Sequence, residues 1–192
     1  TFNTLYSMCL GAAEHIVENP ILMEQLAIPA SVRPYVIRSW EQKEEGFLGR
    51  FDLMFDGQKE VKMLEFNADT PTVLPESTRA QRAWQKEQFP LAQQFNNTEE
   101  MLVDAWRRST LPASAKLFCV HLRNSVEDTA NARLMSEIIQ KAGFSASTFC
   151  VEDIGWDDGR KAFVDLQDQP MDYVWKLYPW EWLFNEEFGM NL

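Results

Sequence analysis

Three features of the 192-residue sequence predict an α/β fold. Apolar, strand-like segments at Lys116–Leu122 and Ser147–Ile154 flank a helical stretch from Val126 to Lys141, giving a β-α-β order. Two aromatic-rich segments, Gly49–Phe55 and Val61–Asn67, stand on either side of Asp56-Gly57, a strong turn signal for a β-hairpin. Elsewhere apolar residues recur at the spacing of amphipathic helices.

Taken in order, Leu5, Met8, Ala12 and Ile16 predict a helix over Thr4–Val17 that stops at Asn19-Pro20. Pro29 and Pro34 divide the following stretch into short helical or turn pieces ending near Trp40, and the polar run Glu41–Gly46 reads as a loop. After the hairpin, Glu76–Phe89 and Thr98–Arg108 predict two helices, the second through Met101, Leu102, Ala105 and Trp106. The helix from Val126 stops at Gly143, and Tyr173–Leu177 adds a further strand. Strands joined by a crossover helix lie parallel with right-handed connection in nearly all cases, so residues 111–192 predict a Rossmann-like layer. Residues 1–110 form a first region of helices and the hairpin.

The composition sets bounds on function. Hydrophobic residues make up 45% of the chain, enough for one sizeable core or two small lobes. No run approaches the roughly 18 apolar residues of a membrane span, so no membrane role is expected. The formal charge of −11 argues against a nucleic-acid groove and favours cationic partners. Cys9, Cys119 and Cys150 lie far apart with no C-x-x-C spacing, which fits a reducing cytoplasm. With only His15 and His121 present, any metal is expected to be hard and oxygen-bound.

The hairpin carries the informative constellation. Strand side chains alternate faces, so Arg50 shares a face with Asp52, as Glu65 does with Asn67. If Asp52 stands opposite Glu65, Arg50 stands opposite Asn67, and one patch presents two carboxylates, an amide oxygen and a guanidinium. Two readings fit this patch. It is either a site for Mg²⁺ and a phosphate held by Arg50, or a solvated strand face with weak cross-strand ion pairs. Thr70 and Thr72 follow, either receiving a carboxylate through their hydroxyls or forming an ordinary turn. Glu127 and Asp128 are either functional acids or favourable residues in a helix's first turn. Trp175, Trp180 and Trp182 either wall a cleft or pack in the core, and His121 reads as a structural histidine.

The segments Gly49-Arg50-Phe51-Asp52, Leu64-Glu65-Phe66-Asn67-Ala68-Asp69-Thr70-Pro71-Thr72 and Lys176-Leu177-Tyr178-Pro179-Trp180-Glu181-Trp182 resemble the synthetase domain of glutathionylspermidine synthase. The similarity runs through nearly the whole chain and is greatest to stand-alone synthetase-like members without an amidase domain. It implies the pre-ATP-grasp layer and part of an ATP-grasp ligase. In that family ATP phosphorylates the glycine carboxylate of glutathione, and an amine of spermidine displaces the phosphate. The resemblance matches Asp52, Glu65 and Asn67 to ligands of Mg²⁺ and Arg50 to the arginine beside the transferring phosphate of ATP. It matches Thr70 and Thr72 to two serines at the glutathione end, and Glu127 and Asp128 to an acidic pair near the substrates.

Departures from the family pattern bear on substrate choice. Threonines stand where the characterised enzymes have serines, and Leu177 supplies no hydroxyl. The ATP-grasp segments that bring nucleotide-binding lysines are expected beyond Leu192. The expectation is therefore an ATP- and Mg²⁺-dependent ligase joining a glutathione-like peptide to a polyamine. The alternative is a non-catalytic module that binds a peptide or polyamine.

Overall fold

The computed structural model describes residues 2–44, 46–58 and 60–191. They fall into two units: Thr1–Gly46 with Phe51–Phe66, and Phe47–Arg50 with Asn67–Leu192.

In the first unit, α1 (Phe2–Val17) is followed by α2 (Pro20–Gln25) and α3 (Arg33–Gln42). Asn19 starts α2, its side-chain oxygen accepting from the N–H groups of Ile21 and Leu22 at 3.1 and 3.4 Å, with Pro20 in the first turn where no N–H is needed. Lys43, in the left-handed region at φ 54°, ends α3 inside the stretch expected to be loop. Strands β1 (Arg50–Met54) and β2 (Lys62–Asn67) pair as a two-stranded sheet, one residue shorter at several ends than the sequence predicts. Phe51 and Phe66 stack with centroids 4.2 Å apart, and Tyr6 meets Phe66 edge-on at 6.1 Å. Met23 and Val32 are the buried hydrophobic residues among those described in this unit. Helix α1 buries nothing fully; its half-buried stripe runs through Leu5, Cys9, Ala13 and Ile16 rather than through Met8 and Ala12, which are exposed.

The second unit is built around a parallel sheet. A π-helical turn, Glu76–Ala80, leads into α4 (Gln81–Gln88), followed by α5 (Thr98–Arg107), β3 (Lys116–His121), α6 (Val126–Ala142) and β4 (Ser145–Cys150). Short strands β5 (Gly155–Asp157) and β6 (Ala162–Val164) form an antiparallel pair, and β7 (Tyr173–Lys176) and α7 (Trp180–Leu183) complete it. Strand β3 lies between β4 and β7, parallel to both, with Cys119 opposite Thr148 on one side and Trp175 on the other. This is the predicted β-α-β layer. Ser125 caps α6 by accepting from the Asp128 N–H, and Gly143 at φ 108° ends it, a backbone angle that a side chain would strain.

Alternation along β3 divides the core. Leu117 and Cys119 face Leu102, Val103 and Trp106 of α5 and Leu134, Met135, Ile138 and Ile139 of α6. Phe118 and Val120 face the other way, against Phe149, Ile154, Phe163 and Met171. Helix α5 therefore turns Leu102, Val103 and Trp106 inward and leaves Met101 exposed, one position round from the spacing read in the sequence.

Strand β4 begins at Ser145 and ends at Cys150, whereas the sequence predicts Ser147–Ile154. The chain turns at Val151–Asp153 because these acids are engaged elsewhere. The Glu152 carboxylate accepts from the Arg123 N–H at 3.1 and 3.2 Å, and Asp153 pairs with the Arg123 guanidinium. Among the described residues no helix is long and apolar enough to cross a membrane.

Glu99 on α5 joins three elements. It accepts from Arg79 at 3.1 Å and pairs with Lys141 of α6, while Arg79 also reaches Glu137 at 2.7 Å. The Arg79 hydrogen bond, despite partial burial, holds the Glu99 carboxyl down from 4.5 to about 2. Its folded value lies below its unfolded one, so the stabilisation is present above pH 4.5 and is lost as pH falls towards 2. Acid unfolding followed by circular dichroism should show that decline, and Glu99→Gln should both lower stability near neutrality and flatten the curve in this window.

Candidate functional site at the carboxyl edge of the parallel sheet

In open α/β sheets ligands bind outside the carboxyl ends of the strands. Here those ends are His121, Cys150 and Lys176. The segment following β2, from Ala68 to Leu74, is fastened to that edge at three points within the second unit. Asp69 accepts from the Lys176 ammonium through one carboxylate oxygen and from the Trp180 N–H through the other, the latter at 3.0 Å. The Arg50 guanidinium donates to Thr72 Oγ1 at 3.2 Å. The Leu74 N–H donates to Asn131 Oδ1 at 2.9 Å, and Asn131 Nδ2 in turn donates to the Glu127 carbonyl in the first turns of α6. Pro71 is buried, which stiffens the middle of the segment.

Between these anchors Val73 sits in the left-handed region at φ 70°. For a β-branched residue this costs about 1–3 kcal/mol and persists only where surrounding contacts impose it. The hydrogen bonds at Thr72 and Leu74 bracket it directly.

Lys176 is enclosed: its side chain is only 14% exposed, its Nζ also donates to the Tyr178 carbonyl at 3.0 Å, and it lies 4.2 Å above the Trp180 ring. Burial pushes its pKa below the ordinary lysine value, and the Asp69 carboxylate opposes that shift. The hydrogen bond to Glu186 pushes the Tyr178 phenol up to about 12, so it stays protonated. Burial drives the Cys119 thiol up to about 12, which removes it as a nucleophile near neutral pH. His121 is buried, with Nδ1 2.8 Å from the Leu122 carbonyl and 3.2 Å from Thr129 Oγ1, as a structural histidine would be.

Of the residues singled out in the sequence, Arg50, Asn67, Thr70, Thr72, Glu127 and Asp128 belong to the second unit, and Asp52 and Glu65 to the first. Arg50 and Thr72 are in direct contact, and Thr72 is linked to the start of α6 through Leu74 and Asn131. Glu127 is exposed and Asp128 half-buried in the first turn of α6, where both also favour the helix dipole. Asp52 is half-buried on β1, Glu65 exposed on β2, and Asn67 half-buried at its end. Among the described residues no three His, Cys, Asp and Glu side chains converge as a metal cluster. The aromatic segment divides between both readings: Trp175 packs in the core, while Trp180 and Trp182 are 44% and 50% exposed.

Sequence reasoning missed Asp69, Lys176 and Asn131 as the fastenings. Asn131 did carry a signal, being a polar residue one turn before Leu134 and Met135 on the buried face of a helix. Lys176 and Asp69 stand 107 positions apart, and no local pattern connects them.

The fold defines an α/β domain whose parallel sheet ends at this edge. The chain belongs to the family described as glutathionylspermidine synthase preATP-grasp, whose model matches residues 1–192. It is 34% identical over 197 residues to a putative acid–amine ligase of Haemophilus influenzae, a match covering 100% of this chain and 49% of that protein. It is 21% identical over 191 residues to a trypanothione synthetase of Crithidia fasciculata, covering 96% of this chain and 29% of that protein. The chain thus spans about half the length of the first relative and less of the second.

Asn131 is 1% exposed and satisfies the Leu74 N–H. Asn131→Leu should leave that donor unpaired and cost about 1–3 kcal/mol in urea unfolding, because a lost buried partner carries the full desolvation penalty.

Proposed function

We propose that the protein is an ATP-dependent carboxylate–amine ligase that joins the terminal carboxylate of a glutathione-like peptide to an amine such as a polyamine. The observation that carries this reading is the hydrogen bond from Arg50 to Thr72, in a chain whose whole length matches the glutathionylspermidine synthase preATP-grasp family. It sets the residue matched to the phosphate against the one matched to the acid substrate. The relatives' descriptions as an acid–amine ligase and a trypanothione synthetase support the same reaction class.

A hydroxyl has one hydrogen to donate and two lone pairs. At Thr72 a lone pair takes the Arg50 N–H, which leaves the O–H to donate to a substrate carboxylate lying next to the guanidinium. A carboxylate oxygen held there attacks the γ-phosphorus of ATP, ADP departs, and an acyl phosphate forms. The neutral amine then attacks the acyl carbon, inorganic phosphate leaves, and the amine loses a proton as the amide forms. Arg50 stabilises the charge on the transferring phosphoryl group, the main contribution a protein makes to this chemistry. Glu127 and Asp128, on a chain of net charge −11, attract the cationic amine.

Asp52, Glu65 and Asn67 offer two carboxylates and an amide oxygen, a donor set suited to Mg²⁺ completed by water and phosphate oxygens. Bound there, the ion would neutralise phosphate charge during transfer. The Phe51–Phe66 stack supports this assignment, since it is the contact expected of a cross-strand pair and, in an antiparallel ribbon, one step along each strand leads from it to Asp52 and Glu65.

In the full-length protein, Asp52→Asn should abolish peptide-dependent ADP release, and Thr72→Val should raise KM for the peptide about tenfold or more with the circular dichroism spectrum unchanged. Unaltered turnover in Asp52→Asn would remove the metal assignment. Peptide binding by a protein that releases no ADP would favour a binding module instead.

A further inference from the structure

The candidate site contains a cation to which the proposed reaction gives no role. Lys176 lies at the end of β7, and its ammonium is committed to three partners of the same edge: Asp69, the Tyr178 carbonyl and the Trp180 ring. Asp69 immediately precedes Thr70, and its second oxygen is taken by the Trp180 N–H. The contacts of Lys176 thus tie the near end of the segment to the sheet, while Arg50 and Asn131 tie its far end. Val73, in the left-handed region at φ 70°, lies next to the far anchors, so the backbone conformation there is one that surrounding contacts must impose.

A displacement of about 1 Å in groups that orient a reacting atom is enough to cost a large factor in rate. Lys176 has no route to the substrate carboxylate while it is paired with Asp69, packed against Trp180 and mostly buried. Its influence must pass through Asp69.

We propose that Lys176 is a positioning residue for the acid substrate, holding the Thr70 and Thr72 hydroxyls in place through its ion pair with Asp69. This rests on the ligase reading above. The same geometry makes Asp69 the second half of the device, with no part in binding the nucleotide or the amine.

The test is steady-state kinetics on the full-length protein with Lys176→Met, Asp69→Asn and the double variant, varying peptide, amine and ATP in turn. Lys176→Met should raise KM for the peptide about tenfold while KM for ATP stays within about twofold. The double variant should be no worse than the poorer single one, because both remove one interaction. Hydrogen exchange provides a readout independent of turnover: amides from Thr70 to Leu74 should exchange faster in Lys176→Met, with those of β3 unchanged. An active wild type whose peptide KM and segment exchange are unaltered by Lys176→Met overturns this inference alone. So do additive losses or equal losses for all three substrates. A wild type that releases no ADP with any acid substrate overturns the ligase reading and this inference with it.

Discussion

The candidate site depends on the Asp69 carboxylate, bridged between the Lys176 ammonium and the Trp180 N–H. A parallel sheet by itself ends in unpaired carbonyls and mobile connections, and a chain segment passing that edge has no reason to remain there without a fastening. Charge-assisted hydrogen bonds are the stronger class, and pairing one carboxylate with both an ammonium and a helix-entry amide uses both of its oxygens. The Lys176 side chain is only 14% exposed, so removing the Asp69 carboxylate would leave a largely enclosed ammonium without its counter-charge.

From that fastening the rest of the edge follows. Asn131 projects from the largely apolar buried face of α6, its Oδ1 accepting from the Leu74 N–H and its Nδ2 donating to the Glu127 carbonyl. Its position is fixed by the packing of Leu134, Met135, Ile138 and Ile139 against β3. The core thus sets the helix, the helix sets one end of the segment, and β7 sets the other. Between the anchors Val73 is held at φ 70°, a conformation that an unanchored valine would leave.

The parts of the fold that the sequence announced were those governed by local periodicity and caps. The β3–α6–β4 unit had an apolar run before the helix and Gly143 after it, and both act as expected, while the Ser125 cap was not read. Strands β5 and β6 escaped notice because three residues each are too few to display a period, although Asp158-Gly159 between them is a turn signal and the Asp157 side chain accepts from the Gly159 and Arg160 N–H groups. Helix α5 was found but its buried face was read one position off, since Met101 and Val103 are equally apolar and only tertiary packing chooses between them. At the site, Arg50 and Thr72 were legible through a motif, and their contact is present. The Lys176–Asp69 pair was not, because nothing local records a contact between residues brought together only by the completed sheet.

The central claim is that an acid substrate is received by the segment fastened at the carboxyl edge. Amide chemical-shift mapping of the full-length protein titrated with glutathione tests it most directly. Shifts concentrated at Thr70, Thr72 and the first turn of α6, with β5 and β6 undisturbed, are the predicted result. Saturable binding whose shifts lie elsewhere and leave Thr70 and Thr72 unmoved would contradict it.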